Sequence, residues 1–337
     1  MLNKVLPIIK CSGTPREMGI QYGEQAKDDI KINLEQFSIK HDLVMLNEMK
    51  NNLKLHMPEI LEELEGIAIG AQVDLDLLLS YNHWELNLDN HERCTVFVLH
   101  SEDKELLIAK NNDSPVGENG KFVIRRGYPT NGIPFVQITY AGFLSGLDMM
   151  NLKGLCNTHG SVGSAFERKG SCLDIRLVIY NLMQKCTSVD EILQKLNSYN
   201  LTGKGFSIAL GDANSNSCIV DAAVPFLGKR AINKKFAYST NLYEFNGFEN
   251  ADMRLPHRRN ICLYRNGYMK WIEQTNPPKN LDDLIKLSSS HEPWAPCRHG
   301  GVHGSITDWS VIFMPEKRRF LISHGPACQN QYQDIEL

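Results

Sequence analysis

A thiol, an ammonium group and a carboxylate stand close together in this 337-residue sequence: Cys94, Lys110 and Asp113. Cys94 opens the run Cys94-Thr95-Val96-Phe97-Val98-Leu99-His100, and Leu106-Leu107-Ile108-Ala109-Lys110 leads into Asn111-Asn112-Asp113. The pattern reads as a strand, a polar turn (Ser101-Glu102-Asp103-Lys104), a second strand and an Asn-Asn-Asp loop. Two strands joined in this way pair antiparallel. Cys94 at the start of one and Asp113 at the end of the other then lie near one sheet edge, the geometry that a nucleophile and its polar support need. The plainer account of the same residues is a small buried thiol and a solvated Asn-Asn-Asp-Ser-Pro turn.

A second group of chemically able residues lies further on. His291, Cys297, His299 and His303 fall within thirteen residues, which suggests a metal site. The spacing is not that of a standard finger, and the sequence offers no second ligand pair. The expectation is therefore no metal and no cofactor, with a metal-binding protein as the lesser alternative. The nine cysteines are odd in number, scattered and without a CxxC pair, which argues against a disulfide framework. Buried thiols in a reducing compartment fit better.

Composition sets the outer bounds. Hydrophobic residues at 42% and charged residues at 22% are ordinary for a globular chain with a large core. A net charge of −3 lacks the basic excess of a general nucleic-acid binder. No apolar run reaches the roughly 18 residues of a membrane span, and Pro7 breaks an already short apolar start. A cytoplasmic protein that binds neither nucleic acid nor membrane is the expectation.

The elements that must position these residues follow from periodicity. Arg16 to about Leu86 reads as helices: Ile20, Gly23, Ala26, Ile30, Leu34 and Phe37 recur at helical spacing, Pro58 suits a first turn, and Asp74 or Asp76 suits a cap. Strands are expected at Thr95–His100, Leu106–Lys110, Phe122–Arg126 and Phe135–Tyr140, with weaker runs near Leu147–Met150 and Leu155–Thr158. Helices at Cys172–Gln184 and Val189–Leu196 follow, the second with a Ser188/Glu191 capping box. Then come strands at Phe206–Leu210, Cys218–Asp221 and Phe236–Ser239, helices at about Arg254–Ile272 and Leu281–Ser288, and strands at Asp308–Phe313 and Arg319–Ser323. Runs of one type without strict βαβ alternation favour an α+β fold, and two antiparallel sheets between helix layers, αββα, would fit. The chain reads as a helical segment, residues 1–93, attached to a catalytic domain, residues 94–337.

Five segments, in order, carry a resemblance. They are Gly13-Thr14-Pro15-Arg16-Glu17-Met18-Gly19 with Gln21-Tyr22-Gly23; Cys94-Thr95 followed by Lys110-Asn111-Asn112-Asp113; Met150-Asn151-Leu152-Lys153-Gly154-Leu155; Tyr238-Ser239-Thr240-Asn241; and Pro296-Cys297-Arg298-His299. Together the chain resembles the penicillin acyltransferase family, peptidase family C45, of the N-terminal-nucleophile hydrolases, to which the bile-salt and penicillin V amidases are related. The resemblance implies the αββα sandwich and self-cleavage between Arg93 and Cys94. The freed cysteine then carries its own base: the amine titrates near pKa 8 and the thiol near about 8.5.

By position, Cys94 resembles the family nucleophile, Asp113 the carboxylate that orients it, Asn241 the oxyanion-hole amide and Arg254, with Arg258 as the lesser alternative, the arginine held near the nucleophile. Lys110, Asn112, Thr158 and His159 fall where substrate would bind. The sequence departs from the family at Lys110, where relatives often carry arginine, at Arg93, where fungal members have glycine, and at Leu242, where relatives often have histidine. Thr158-His159-Gly160-Ser161 stand where relatives often place a further asparagine. The implied activity is hydrolysis or transfer of the acyl group of a small linear amide through a thioester. A small N-acyl substrate is the implied partner, an acyl thioester is a further donor class, and an oligomer is compatible with all of this. An unprocessed, catalytically silent ligand-binding member of the same fold is the alternative.

Overall fold

The computed structural model describes residues 8–37, 43–83, 94–117, 120–163, 172–291, 293–300 and 304–337. In chain order the elements are β1 (Ile8–Gly13), α1 (Pro15–Gln25), α2 (Lys27–Gln36), α3 (Leu43–His56), α4 (Pro58–Ala71), α5 (Leu75–His83), β2 (Thr95–His100), β3 (Leu106–Pro115), β4 (Phe122–Pro129), β5 (Phe135–Tyr140), β6 (Met149–Asn151), β7 (Cys156–Val162) and β8 (Leu173–Asp174). There follow α6 (Ile175–Met183), α7 (Val189–Leu196), β9 (Leu201–Thr202), β10 (Gly205–Gly211), β11 (Ser217–Ala223), β12 (Phe226–Ala231), β13 (Phe236–Ser239), α8 (Pro256–Thr275), α9 (Leu281–Ser288), β14 (Ser305–Met314), β15 (Arg319–His324) and β16 (Gln333–Glu336).

Two sheets form the centre. One runs β1-β4-β5-β6-β7-β10-β11-β12, the other β13-β2-β3-β14-β15-β16. They face each other across Val96, Val98 and Ile108 from the second sheet and Ile124, Val136 and Ile138 from the first. Helices α1 to α7 cover the outer face of the first sheet with residues such as Tyr22, Leu64, Leu78 and Ile179. Helices α8 and α9 cover the second through Met269 and Leu284 against Phe97 and Leu99. This is the four-layer αββα sandwich of the α+β expectation. Alternation along β2 explains the layering: Val96 and Val98 enter the inter-sheet core, while Phe97 and Leu99 meet the helices.

The amino-terminal segment is not wholly helical. Ile8–Gly13 is an edge strand, parallel to β4 with Ile9 opposite Arg125. Its short alternating run has no partner within a hundred residues of sequence, so periodicity alone does not declare it a strand. The segment is bound to the rest by buried chemistry. Arg125 on β4 is ion-paired with Glu63 on α4, both fully or almost fully buried, and Tyr180 on α6 donates to the same carboxylate at 2.9 Å. Breaking such a pair on one side costs about 3–5 kcal/mol.

The Gly-Thr-Pro-Arg-Glu segment also has a structural meaning. Thr14 caps α1 in a complete capping box with Glu17, and Pro15 takes the first turn. Gly19 lies against α4 so closely that a Cβ there would meet the Glu63 carbonyl oxygen at 2.2 Å. The Ser188 hydroxyl accepts from the Glu191 N–H as expected, although the Glu191 carboxylate reaches Thr187 instead.

Candidate active site

Register builds the site. β2 and β3 pair antiparallel with Thr95 opposite Asn111, which sets Cys94, one residue earlier, across from Asn112. The Cys94 Sγ donates to Asn112 Oδ1 at 3.6 Å, and the thiol is fully buried. Asn111-Asn112-Asp113 is not the expected loop. β3 continues through Pro115 because β14 pairs with its far side, with Asp113 opposite Thr307 and Asn112 opposite Trp309. The register slips between Thr307 and Trp309. Such a bulge re-aims side chains at a site. Here it places Asp308, whose carboxylate accepts from Tyr140 at 3.1 Å and from Ser114.

Asp113 is fully buried, and the Thr307 hydroxyl donates to its Oδ1 at 2.7 Å. Among the described residues its Oδ2 has no hydrogen-bond partner. Burial pushes the carboxyl up to about 7. The nearby Arg265 and Arg298 guanidinium groups oppose that rise without cancelling it.

The arginine on Cys94 is Arg265, from α8. It donates to the Cys94 carbonyl, to the Thr95 hydroxyl, and at 3.0 Å to Asn241 Oδ1. Asn241, just past β13, has φ of +63°, a backbone state that asparagine tolerates better than most residues. Its Nδ2 donates to the Ser161 carbonyl at 2.9 Å, which leaves one further N–H on that amide.

Arg254 is placed differently from the expectation. α8 begins at Pro256, so Arg254 precedes the helix. Its fork grips Asp252, with Nε to Oδ1 at 2.8 Å, and reaches the Asn241 carbonyl and the Cys262 sulfur. Those bonds hold the Asn241 backbone, while Arg265 supplies the contact to the cysteine. Arg265 gave no sign in the sequence, where it is one of three arginines spread along α8, with Arg258 and Arg259.

Lys110 is also fully buried. It is ion-paired with Asp148 at 2.8 Å and lies 3.2 Å from His159 Nδ1. Burial works to raise the Asp148 pKa, but the charges of Lys110 and His159 outweigh it and hold the carboxyl below its ordinary value. Asn112, Asp148, His159, Tyr140, Phe143 and Trp309 line a small cleft of about 30 Å³. Asn112 thus connects the thiol to the cleft. Thr158 turns between the sheets, its hydroxyl donating to the Ala109 carbonyl at 3.4 Å. Arg93, on the other side of the expected cleavage bond, and His303 lie outside the described residues. No helix among the described residues is long and apolar enough to cross a membrane.

No protein-family model matches the chain, and no curated protein matches it. Among solved structures, it is similar to a variant of conjugated bile acid hydrolase from Clostridium perfringens, at 14% identity over 72% of this chain and 92% of that one, with a TM-score of 0.48. Penicillin V acylase from Agrobacterium tumefaciens gives 16% identity over 72% and 86%, with a TM-score of 0.41. The Caenorhabditis elegans N-acylethanolamine-hydrolyzing acid amidase ortholog gives 11% over 66% and 93%, with a TM-score of 0.46. At these identities and scores the likeness is one of architecture alone.

Proposed function

We propose that this chain is a cysteine N-terminal-nucleophile amidohydrolase or acyltransferase acting on a small linear amide. The observation that carries the reading is the constellation at the head of β2. A buried thiol faces Asn112, its own carbonyl and the Asn241 amide are tied together by Arg265, and a buried carboxylate with an open oxygen stands on the adjacent strand.

Activation begins when the Cys94 thiol attacks the Arg93 carbonyl. The peptide C–N bond breaks, a thioester forms, and water hydrolyses it. Residues 1–93 are left with a new carboxylate, and the second fragment begins with the free amine and thiol of Cys94. The short fragment stays docked, since its helices bury their apolar faces against the first sheet.

In turnover the thiol attacks the amide carbonyl carbon and the α-amine takes its proton. The same amine returns a proton to the leaving nitrogen, and a thioester forms on Cys94. Water or an acceptor amine then releases the acyl group. The free N–H of Asn241 serves the developing oxyanion, a contact of about 3 kcal/mol in such sites. Asp113 Oδ2 accepts from the α-ammonium. Lys110, Asn112, Thr158 and His159 border the acyl group, and Arg254 fixes the Asn241 backbone.

Denaturing mass measurement and amino-terminal sequencing of active protein test this. Two fragments, the larger starting at Cys94, are expected in place of one chain of 38.2 kDa. Full activity in uncleaved protein would overturn the mechanism.

A further inference from the structure

We propose that His291, Cys297, His299 and Cys328 form a structural zinc site. Three of the four are close in sequence, and the fold adds Cys328 from the turn after β15. Each offers one ligand atom, and all four atoms lie within 4.8 Å of one another. Four of the six separations are close to the edges of a coordination tetrahedron, and the two from His291 to the sulfurs lie within 4.8 Å. With Zn–S of about 2.3 Å and Zn–N of about 2.05 Å, the edges of such a tetrahedron are about 3.8 Å between sulfurs, about 3.6 Å from sulfur to nitrogen and about 3.3 Å between nitrogens. The corresponding distances are 3.7 Å for Cys297 Sγ to Cys328 Sγ, 3.6 Å for Cys297 Sγ to His299 Nε2, 3.1 Å for Cys328 Sγ to His299 Nε2, and 3.1 Å for His299 Nε2 to His291 Nε2. The two sulfurs are far beyond the roughly 2.05 Å of a disulfide. Two thiolates and two imidazoles in a tetrahedron suit Zn²⁺ better than the hard cations, which prefer oxygen.

The site has a structural task. It joins the end of α9, which precedes His291, to the strap 297–299 and to the turn carrying Cys328. Among the described residues the strap's backbone bonds are the Cys297 N–H to the Ser290 carbonyl at 3.2 Å, the Thr307 N–H to the Arg298 carbonyl at 3.1 Å and the Gly300 N–H to the Ser305 carbonyl at 2.7 Å. Arg298 sits between two ligands, and its N–H donates to Thr307 Oγ1 at 3.0 Å, the hydroxyl that in turn donates to Asp113. A metal at this point clamps the strap next to the catalytic carboxylate without taking part in the acyl chemistry. The Pro296-Cys297-Arg298-His299 segment then combines two metal ligands with the arginine between them.

The test is made on the full chain. Protein purified without chelators is expected to carry one zinc per chain by elemental analysis. After stripping and reduction, added Co²⁺ should give the visible absorption of a tetrahedral thiolate–imidazole complex, and Zn²⁺ should bleach it. Removing the metal should lower Tm, and re-adding zinc should restore it. Cys328→Ser and His291→Ala should each weaken zinc binding about a hundredfold or more. Reduced wild-type protein that binds neither Zn²⁺ nor Co²⁺ would overturn the site, as would a native Cys297–Cys328 disulfide in metal-free protein. A zinc affinity unchanged in Cys328→Ser would do the same. The Co²⁺ spectrum of the wild-type chain decides the matter even if a variant fails to fold.

Discussion

Asp113→Asn should make the uncleaved chain more stable and, in the processed enzyme, abolish activity. The folded-state carboxyl titrates at about 7, against an ordinary 3.8, chiefly because it is buried. A folded pKa above the unfolded one means that the folded chain binds more protons between those two values. Stability therefore falls as pH rises from about 4 to about 7, and stays at the lower level above that. At 1.36 kcal/mol per pKa unit, the charged carboxylate costs the fold up to about 4 kcal/mol at pH 8. The attraction of Arg265 and Arg298 is already included in that position. Asparagine has the same shape, keeps the bond from the Thr307 hydroxyl and carries no charge to desolvate. The assay is urea denaturation at pH 4, 6 and 8, with both parent and variant in a Cys94→Ala background to prevent cleavage by this thiol. The variant should gain most at pH 8 and little at pH 4. A variant less stable than its parent at pH 8, or a difference independent of pH, would refute the reasoning.

Cys94→Ala should abolish both self-cleavage and amide turnover, read by mass measurement and by release of amine from N-acyl compounds, while Cys94→Ser should retain slow cleavage because a hydroxyl also supports the acyl shift. Arg265→Lys should lower kcat/KM by about a hundredfold with the fold intact by circular dichroism, because one ammonium cannot hold the Cys94 carbonyl, the Thr95 hydroxyl and the Asn241 amide together. Gly19→Ala should cost about 3 kcal/mol in thermal or urea unfolding, since its methyl group would meet the Glu63 carbonyl at 2.2 Å and force α1 away from α4.

The sequence by itself determined the elements whose periodicity is local. The β-branched and aromatic runs, the capping candidates Asp74 or Asp76 and Ser188, and the succession of helix and strand runs led to the αββα layering. It also set Cys94 at the head of one strand and Asp113 past the end of its neighbour, because a short turn leaves two strands little choice but to pair. Tertiary structure decided what depends on partners far along the chain. β1 is a strand because β4 accepts it. Asn111 to Asp113 are strand residues because β14 pairs with them from the other side. Arg265 meets Cys94 across 171 residues, with Arg254 directed to Asp252 and the Asn241 carbonyl instead. Cys328 joins His291, Cys297 and His299 only when β15 turns back beside β14. Burial, and with it the raised pKa of Asp113, is likewise a property of the packed molecule: desolvation is set by the layers around a group, and no run of neighbouring residues encodes them.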